Sequence, residues 1–296
     1  MTIFGIDVHP IFQAGLNIEQ VAKEGFSWVA VKASQGTSTR WAAGANAWVE
    51  RAENAGMVGF CYHYLEAGNV DAQAQAAKTA AAGRPVMVDV EKGSGTVQDD
   101  LRPFLGACAA IGQPVCLIYL PQWYWSQVGS PWLGGLPPLV ASHYGSATGY
   151  ASSIYTSVPS SWWASYGGGT VAVLQFTDKA SVAGLKVDAN AYRGTIDEFR
   201  AQLFGSNIPA PAPIVELPTL HEGDVSELVY LLAVFMNRTF SSYSHIDTGP
   251  GPTCRLGPQT RAALEEFQRR VGISTAAPFA CGPKTWNQLQ RFGFRP

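Results

Sequence analysis

Charged residues are scarce in this chain of 296 residues, at 14% of the total, and the net charge at neutral pH is only −2. The first 205 residues carry 12 Lys and Arg against 15 Asp and Glu, and the remainder carries 8 against 7. Proteins that bind the phosphate backbone of nucleic acids need a clear basic excess. We therefore expect no nucleic-acid partner.

Long apolar runs are also missing, since no stretch is long and apolar enough to span a bilayer. The segment Met1–Asp7 has no basic region, no apolar region after it and no small-residue cleavage site of the kind that marks a signal peptide. We expect no membrane partner and a protein that is made in the cytoplasm without a recognisable secretion signal.

Cysteine is limited to five residues, with no Cys-x-x-Cys or His-x-x-x-His spacing, so we expect no metal and no cofactor. Cys61, Cys108 and Cys116 lie in or beside apolar runs and are expected to be buried. Cys254 and Cys281 each come shortly before a Gly-Pro pair. They could form a disulfide outside the cytoplasm, but the sequence alone does not give the distance between them.

Proline becomes frequent at one point of the chain, where Pro209, Pro211, Pro213 and Pro218 follow one another. Alternating prolines favour an extended conformation and exclude a helix. We predict a semi-rigid linker over 206–219, between a domain at 1–205 and a smaller one at 220–296. The alternative is a surface loop within a single domain.

Short apolar runs alternate with helical patterns through the first 200 residues, which indicates βαβ units and a parallel sheet. Eight strands in this length suit a barrel better than an open sheet, and the later strands are separated by Gly, Pro and Ser rather than clear helices. The predicted strands are Ile3–Val8, Trp28–Lys32, Val58–Tyr64, Val86–Asp89, Val115–Tyr119, Leu139–Ser142, Val171–Phe176 and Val187–Tyr192. The predicted helices between the early strands are Ile18–Glu24, Ala42–Ala55, Val70–Ala82 and Leu101–Ile111.

Carboxylates gather at the ends of these predicted strands. Asp89 and Glu91 end the fourth strand one residue apart, so they point the same way. Asp7 ends the first strand and Asp188 lies on the eighth, its neighbour in a closed barrel. Working residues of parallel barrels lie at the carboxyl ends of strands, and paired carboxyls serve glycosidic bond hydrolysis. The alternatives are an ordinary surface pair, a loop cap at Asp7 and a turn residue at Asp188.

Aromatic and polar residues follow the same strand ends and would suit a sugar, whose apolar ring faces stack on aromatic rings. With no Ser or Cys nucleophile motif nearby, the histidine among them is interpreted as a substrate-orienting or structural residue rather than a general base. The expected substrate-binding residues are Tyr62, His63, Tyr119, Tyr144 and Gln175.

Residues 3–200 resemble the glycoside hydrolase family 25 lysozymes, the Chalaropsis-type muramidases, in both the order and the spacing of their motifs. Lys32, inside the second of the matching segments, completes the expected substrate-binding set. The segments are Phe4–Val8, Val29–Thr37, Val58–Tyr64, Pro85–Glu91, Leu117–Tyr119, Gln175–Thr177 and Val187–Thr195.

The resemblance implies an irregular TIM-like (β/α)5(β)3 barrel that cleaves the β-1,4 bond between N-acetylmuramic acid and N-acetylglucosamine. It implies that Glu91 is the proton donor, with Asp89, Asp7 and Asp188 completing the acidic site. It also implies a retaining reaction, in which the attacking group can be the acetamido oxygen of the substrate. His9 stands where the family often has Ser, and Gln35 where Glu is common; the four acids are intact.

Two similar phrases in the C-terminal part, Leu256–Gln268 and Cys281–Leu289, each begin with Gly-Pro before a helical pattern, and Val225–Leu232 reads as a further helix. The expected unit is a small three-helix domain. It resembles the peptidoglycan-binding domain 1 family, which implies a role in wall targeting. A purely structural or dimerising module is the alternative.

These features together predict a monomeric two-domain enzyme that acts on bacterial peptidoglycan. A wall-directed enzyme without a signal peptide most resembles a bacteriophage endolysin, which waits in the host cytoplasm until a holin opens the membrane. One rival is a barrel that binds glycan without catalysis. The other is a wall amidase or peptidase, although such enzymes usually need a metal site or a Cys/His pair.

Overall fold

The computed structural model describes residues 2–205, 215–249, 251, 253–274, 279–294 and 296. Most of the predicted linker therefore lies outside the described residues, and the prediction made for it stands as it was. None of the helices within the described ranges has the length and apolar character that a bilayer crossing requires.

Eight strands close into a barrel in chain order. Five of them have the predicted bounds, because each is an apolar run that the barrel wall buries on one or both faces, whereas β2, β7 and β8 are longer than predicted by three, six and two residues. The strands are β1 (Ile3–Val8), β2 (Trp28–Gln35), β3 (Val58–Tyr64), β4 (Val86–Asp89), β5 (Val115–Tyr119), β6 (Leu139–Ser142), β7 (Val171–Val182) and β8 (Leu185–Tyr192).

The eighth strand runs against its neighbours. Strands β1 to β7 are parallel, but β8 is antiparallel to both β7 and β1, so the parallel sheet inferred from the alternation of strands and helices does not extend to β8. Only Ala183 and Gly184 join β7 to β8, and both have positive φ, at 46° and 82°. A two-residue turn of this kind makes a hairpin, whereas a parallel connection needs a crossover of a dozen residues.

Helices follow the first five strands and are short or absent afterwards, which confirms the predicted asymmetry of the barrel. The last helix of the barrel, α7, places Phe199 against the rings of Trp28 and Phe60 inside the barrel. The helices are α1 (Ile18–Lys23), α2 (Ala42–Asn54), α3 (Val70–Ala81), α4 (Arg102–Ala110), α5 (Gln122–Gln127), α6 (Ala151–Tyr155) and α7 (Ile196–Phe204).

The C-terminal helical unit has its own apolar core, in which Phe235, Phe267 and Trp286 are fully buried. Its three helices occur where they were predicted, and Pro258 and Pro283 each begin a helix, where the missing N–H costs little. The helices are α8 (Glu227–Thr239), α9 (Pro258–Arg270) and α10 (Pro283–Arg291), with a small ladder between β9 (Leu220–His221) and β10 (Ala280–Cys281).

All five cysteines are free and buried. Cys61, Cys108 and Cys116 therefore behave as the small apolar residues that were expected. The possible disulfide between Cys254 and Cys281 is not formed in this structure.

The C-terminal helical unit touches the barrel through polar contacts. The Arg238 guanidinium lies 2.9 Å from the Glu24 carboxylate, at the end of α1, and 4.1 Å from the centre of the Tyr150 ring. The Ser241 hydroxyl donates to the Ser152 carbonyl at 3.2 Å. The two parts of the chain are thus in direct contact as well as joined by the predicted linker.

Candidate active site

The four predicted carboxyl groups meet at one end of the barrel. Asp7 and Asp89 lie near the carboxyl ends of β1 and β4, and Glu91 follows two residues after Asp89. Asp188 reaches the same end differently: because β8 is antiparallel, the first half of that strand lies here, and Asp188 pairs with Asp7 in the strand register. Phe199 of α7 fills the other end, so this end is the open one.

Asp7 is held by two amide side chains and lies beside Asp188. One of its carboxylate oxygens accepts hydrogen bonds from the Gln175 and Asn190 amides, each at 2.7 Å. Burial raises the pKa of Asp7, and the bonds from Asn190 and Gln175 oppose that rise. Burial, and then the negative charge of Asp7, raise the pKa of Asp188 to about 8. At neutral pH Asp188 therefore keeps a proton that it can share with Asp7.

Asp89 and Glu91 form the second half of the acidic cluster. Asp89 is 8% exposed, and one of its oxygens has no hydrogen-bond partner within the described part of the chain. Burial and then the charge of Glu91 raise the pKa of Asp89 well above its usual value. Burial also raises the pKa of the half-exposed Glu91, with Lys32 opposing and Asp7 adding to the rise. A carboxyl that holds its proton near neutral pH can act as a general acid.

Lys32 is the cation that faces these acids. It is nearly buried, its ammonium donates to the Gln35 side chain at 2.8 Å, and it lies 4.4 Å from the centre of the Tyr64 ring and 5.3 Å from that of Trp41. Burial lowers the pKa of Lys32, whereas the charges of Asp89 and Glu91 raise it. Within the described residues one ammonium lies near four carboxyl groups, and burial raises the pKa of each of the four.

Tyrosines line the approach to the acids. Tyr62 is buried inside the barrel, and burial raises its pKa well above the usual value, with the four acids adding to that rise. The Tyr119 and Tyr144 hydroxyls are 3.4 Å apart, and Tyr144 donates to the side-chain oxygen of Gln175, which itself donates to Asp7. Tyr144 remains 46% exposed, so this chain of hydrogen bonds runs from the rim of the barrel to the acidic cluster.

His63 does not belong to the site, and its assignment to substrate binding is corrected. Successive strand residues face opposite sides, so Tyr62 points into the barrel and His63 points out. His63 is fully buried, stacks on Phe104 of α4 at 5.0 Å and shares a hydrogen bond of 2.8 Å with the Ser34 hydroxyl. Burial lowers its pKa to about 4. Of the two roles considered for His63, the structure supports the structural one.

Asn190 is a site residue that the sequence reasoning missed. Its side-chain amide donates a hydrogen bond to the Asp7 carboxylate. Asp188 lies two residues before Asn190 on β8, so the two side chains are on the same face of that strand. That spacing was the available signal, because residues two apart on a strand share a face. Trp41 and Gln35, which contact Lys32, were also not among the expected site residues. Gln35 lies inside the matching segment Val29–Thr37, which was the available signal, whereas Trp41 lies outside every matching segment.

Within the described residues, no group of three or more His, Cys, Asp or Glu side chains is arranged to hold a metal ion. The expectation that the protein needs no cofactor stays a prediction.

The comparison with curated proteins gives no match, whereas the comparison with solved structures finds several similar folds. Among solved structures, the chain is similar to a family GH25 lysozyme from Aspergillus fumigatus, with 21% identity, a TM-score of 0.56 and coverage of 69% of this chain and 99% of that one. It is also similar to a bacterial lysozyme from Streptomyces coelicolor, with 23% identity, a TM-score of 0.54 and coverage of 68% and 96%.

A third similar structure is a family 25 glycosyl hydrolase from Bacillus anthracis, with 16% identity, a TM-score of 0.51 and coverage of 67% and 91%. Likenesses at these identities establish the (β/α)5(β)3 fold. The family itself is shown by sequence, because residues 6–185, more than half of the chain, match the family model described as Glycosyl hydrolases family 25. The chain therefore belongs to glycosyl hydrolase family 25.

Proposed function

We propose that this protein is an N-acetylmuramidase that hydrolyses the β-1,4 bond between N-acetylmuramic acid and N-acetylglucosamine in bacterial peptidoglycan. The observation that carries the proposal is the position of Glu91: its pKa is raised by burial, it lies beside the buried Asp89, and both stand at the open end of a family 25 barrel.

Glu91 is the proton donor in this proposal. Breaking a glycosidic bond needs a proton on the leaving oxygen and stabilisation of the positive charge that develops on the sugar. Glu91 supplies the proton, and the carboxyl groups of Asp7 and Asp89 stabilise the charge. The resemblance to family 25 implies attack by the acetamido oxygen of the substrate, with retention of configuration.

The tyrosines and the amide at the rim bind the glycan strand. Tyr144 is partly exposed and is connected by hydrogen bonds through Gln175 to Asp7. A sugar that stacks on the Tyr144 ring is therefore held at a fixed position relative to the acids. Tyr62 and Tyr119 line the deeper part of the cleft, and Lys32 contributes a donor beside Glu91. No protein partner is required, and we propose that the enzyme is a monomer.

We also propose that the C-terminal helical unit binds the cell wall and that the whole protein is a bacteriophage endolysin, made in the host cytoplasm and released to the wall through a holin. In support, the unit has its own core, and the ion pairs of α9 join exposed side chains on its surface. Retention of a Glu91→Gln variant on purified walls, and its loss when the surface of α9 or α10 is altered, tests the targeting role.

The deciding experiment is mass spectrometry of the fragments that wild type and Glu91→Gln release from purified peptidoglycan. New reducing ends on muramic acid from wild type, absent with the variant, are expected. Reducing ends on N-acetylglucosamine would keep a glycosidase but move the bond. Free peptides would indicate an amidase or peptidase, and no products at all would leave a barrel that only binds glycan.

A further inference from the structure

Glu91 stands outside the barrel wall. The last backbone bond that ties its segment to β5 is donated by Val90 to the Tyr119 carbonyl, at 2.8 Å. The N–H of Glu91 itself donates to the Ser94 hydroxyl at 3.0 Å. The position of the Glu91 carboxyl therefore depends on the loop that follows it, and not on the sheet.

Ser94 connects this loop to the end of the neighbouring strand. It is fully buried, and its hydroxyl accepts from Glu91 while it donates to the Leu65 carbonyl at 2.7 Å. Its own N–H donates to the Glu91 carbonyl at 2.9 Å, and the N–H of Leu65 donates to the Asp89 carbonyl at 3.0 Å. One hydroxyl thus holds Glu91 against the residue that directly follows β3.

Asp100 makes a second connection between the same two loops. It is 7% exposed; one carboxylate oxygen accepts from the Gly68 N–H at 2.7 Å and the other from the Thr96 N–H at 2.8 Å. A π-helical turn over Val97–Leu101 carries this carboxylate, and such turns are frequent at functional sites. Gly95 has a φ of 76°, and a Cβ there would lie 1.9 Å from the carboxylate.

We propose that Ser94 and Asp100 are positioning residues that hold the Glu91 carboxyl where it can protonate the glycosidic oxygen. This inference rests on the proposed muramidase function. A general acid works only within hydrogen-bond distance of the atom that it protonates, and a shift of about 1 Å in a reacting group can cost about 100-fold in rate. Two buried polar side chains whose partners are the backbones of the two loops supply that restraint.

The test compares Ser94→Ala with Ser152→Ala. Ser152 is a matched control, because it is 5% exposed and its hydroxyl has no partner within the described residues. For Ser94→Ala we expect kcat on soluble glycan fragments to fall by up to about 100-fold with little change in KM. We also expect the alkaline limb of the pH profile to move, because Glu91 changes its distance from Asp89 and Lys32. Ser152→Ala should change neither quantity.

Asp100→Asn provides a second variant of unchanged size, and it is the deciding one if Ser94→Ala does not fold. It replaces one of the two acceptors by a donor, so we expect a fall in kcat, again with little change in KM. Unfolding temperatures are measured for every variant. A lower unfolding temperature with wild-type kcat and an unmoved pH profile would show only a structural brace and overturn the proposal. Failure of the muramidase function would show separately in the wild type, as free peptides or no products at all from purified peptidoglycan.

Discussion

The open end of the barrel buries charged groups close together, whereas the C-terminal helical unit has exposed ion pairs on its surface. In the barrel, Asp7, Asp89 and Asp188 are placed close together with limited contact with water, and Lys32 is the cation that faces them. In the C-terminal helical unit, Arg261 lies 2.8 Å from Glu222 and Glu265, and these side chains are substantially exposed. The first arrangement costs folding free energy, whereas the second is nearly neutral.

This difference indicates where the chemistry is. A cluster of buried carboxyls that repel one another persists only where it has a use, and strongly shifted pKa values gather at functional sites for that reason. The exposed pairs of the C-terminal helical unit are ordinary surface ion pairs and do not indicate a reaction site. The predictions below test whether the contrast holds.

The largest expected effect is at Glu91. Glu91→Gln keeps the shape of the side chain but removes the proton that it donates, so we expect activity to fall by about 100- to 10,000-fold. Release of reducing ends from peptidoglycan measures it. The control is Glu266→Gln, which removes an exposed carboxylate paired with Arg269 and Arg270 and should leave activity unchanged. Equal activities in the two variants would remove the contrast between the two regions.

Arg238 is the exception within the C-terminal helical unit, since its ion pair with Glu24 is buried, with side chains 14% and 7% exposed. Arg238→Ala removes the cation beside the buried Glu24 carboxylate and leaves the hydrogen bonds from the Gln20 amide and the Ala183 N–H. We expect a loss of about 3 kcal/mol in the free energy of unfolding. Urea denaturation measures it, and activity per folded molecule should not change. Arg261→Ala, at an exposed pair, is the control; a similar loss there would mean that burial does not decide the effect.

A third prediction concerns Asn190, which lies inside the barrel beside Asp7. Asn190→Ala removes one of the two amide donors of Asp7, so the pKa of Asp7 rises further and less of it is ionised near neutral pH. Since a hydrogen bond to a charged group contributes about 1.5 to 3 kcal/mol, activity should fall by roughly 10-fold or more. Unchanged activity and an unchanged pH profile would show that Asp7 needs only Gln175.

The last prediction concerns the change of stability with pH, which is small over any single pH unit. The folded protein keeps the proton of Asp188 up to about pH 8, whereas the unfolded chain releases it near pH 3.8. Between these values the folded state binds more protons, so stability decreases as pH rises, by up to about 1.4 kcal/mol per pH unit for this group.

Asp188→Asn should therefore reduce the loss of stability between pH 5 and pH 8, as measured by urea unfolding at the two values. Asp197→Asn, at a side chain that is 62% exposed, is the matched control and should leave the slope as it is in wild type. A wild-type slope in Asp188→Asn would contradict the assignment of a held proton to this residue.

The sequence predicted the barrel strands well and the interior contacts poorly. Apolar runs such as Val86–Asp89 are local signals, and each appears as a strand, although β7 is six residues longer than predicted. The direction of β8 depends on the two-residue turn at Ala183, which no apolar pattern indicates. Tyr62 and His63 are adjacent on β3 and face opposite sides, so only one of them can face the site.

The sequence by itself determined the family, the order of the eight strands, the three C-terminal helices and the identity of the four acids. These depend on residue type and spacing along the chain. Only the tertiary structure decided that Asn190 serves Asp7, that Ser94 and Asp100 hold the loop of Glu91, and that Arg238 reaches Glu24. Each of these contacts joins residues that the packing of separate segments brings together. Which partner a buried polar group finds depends on burial and on the competition for hydrogen bonds in the folded protein.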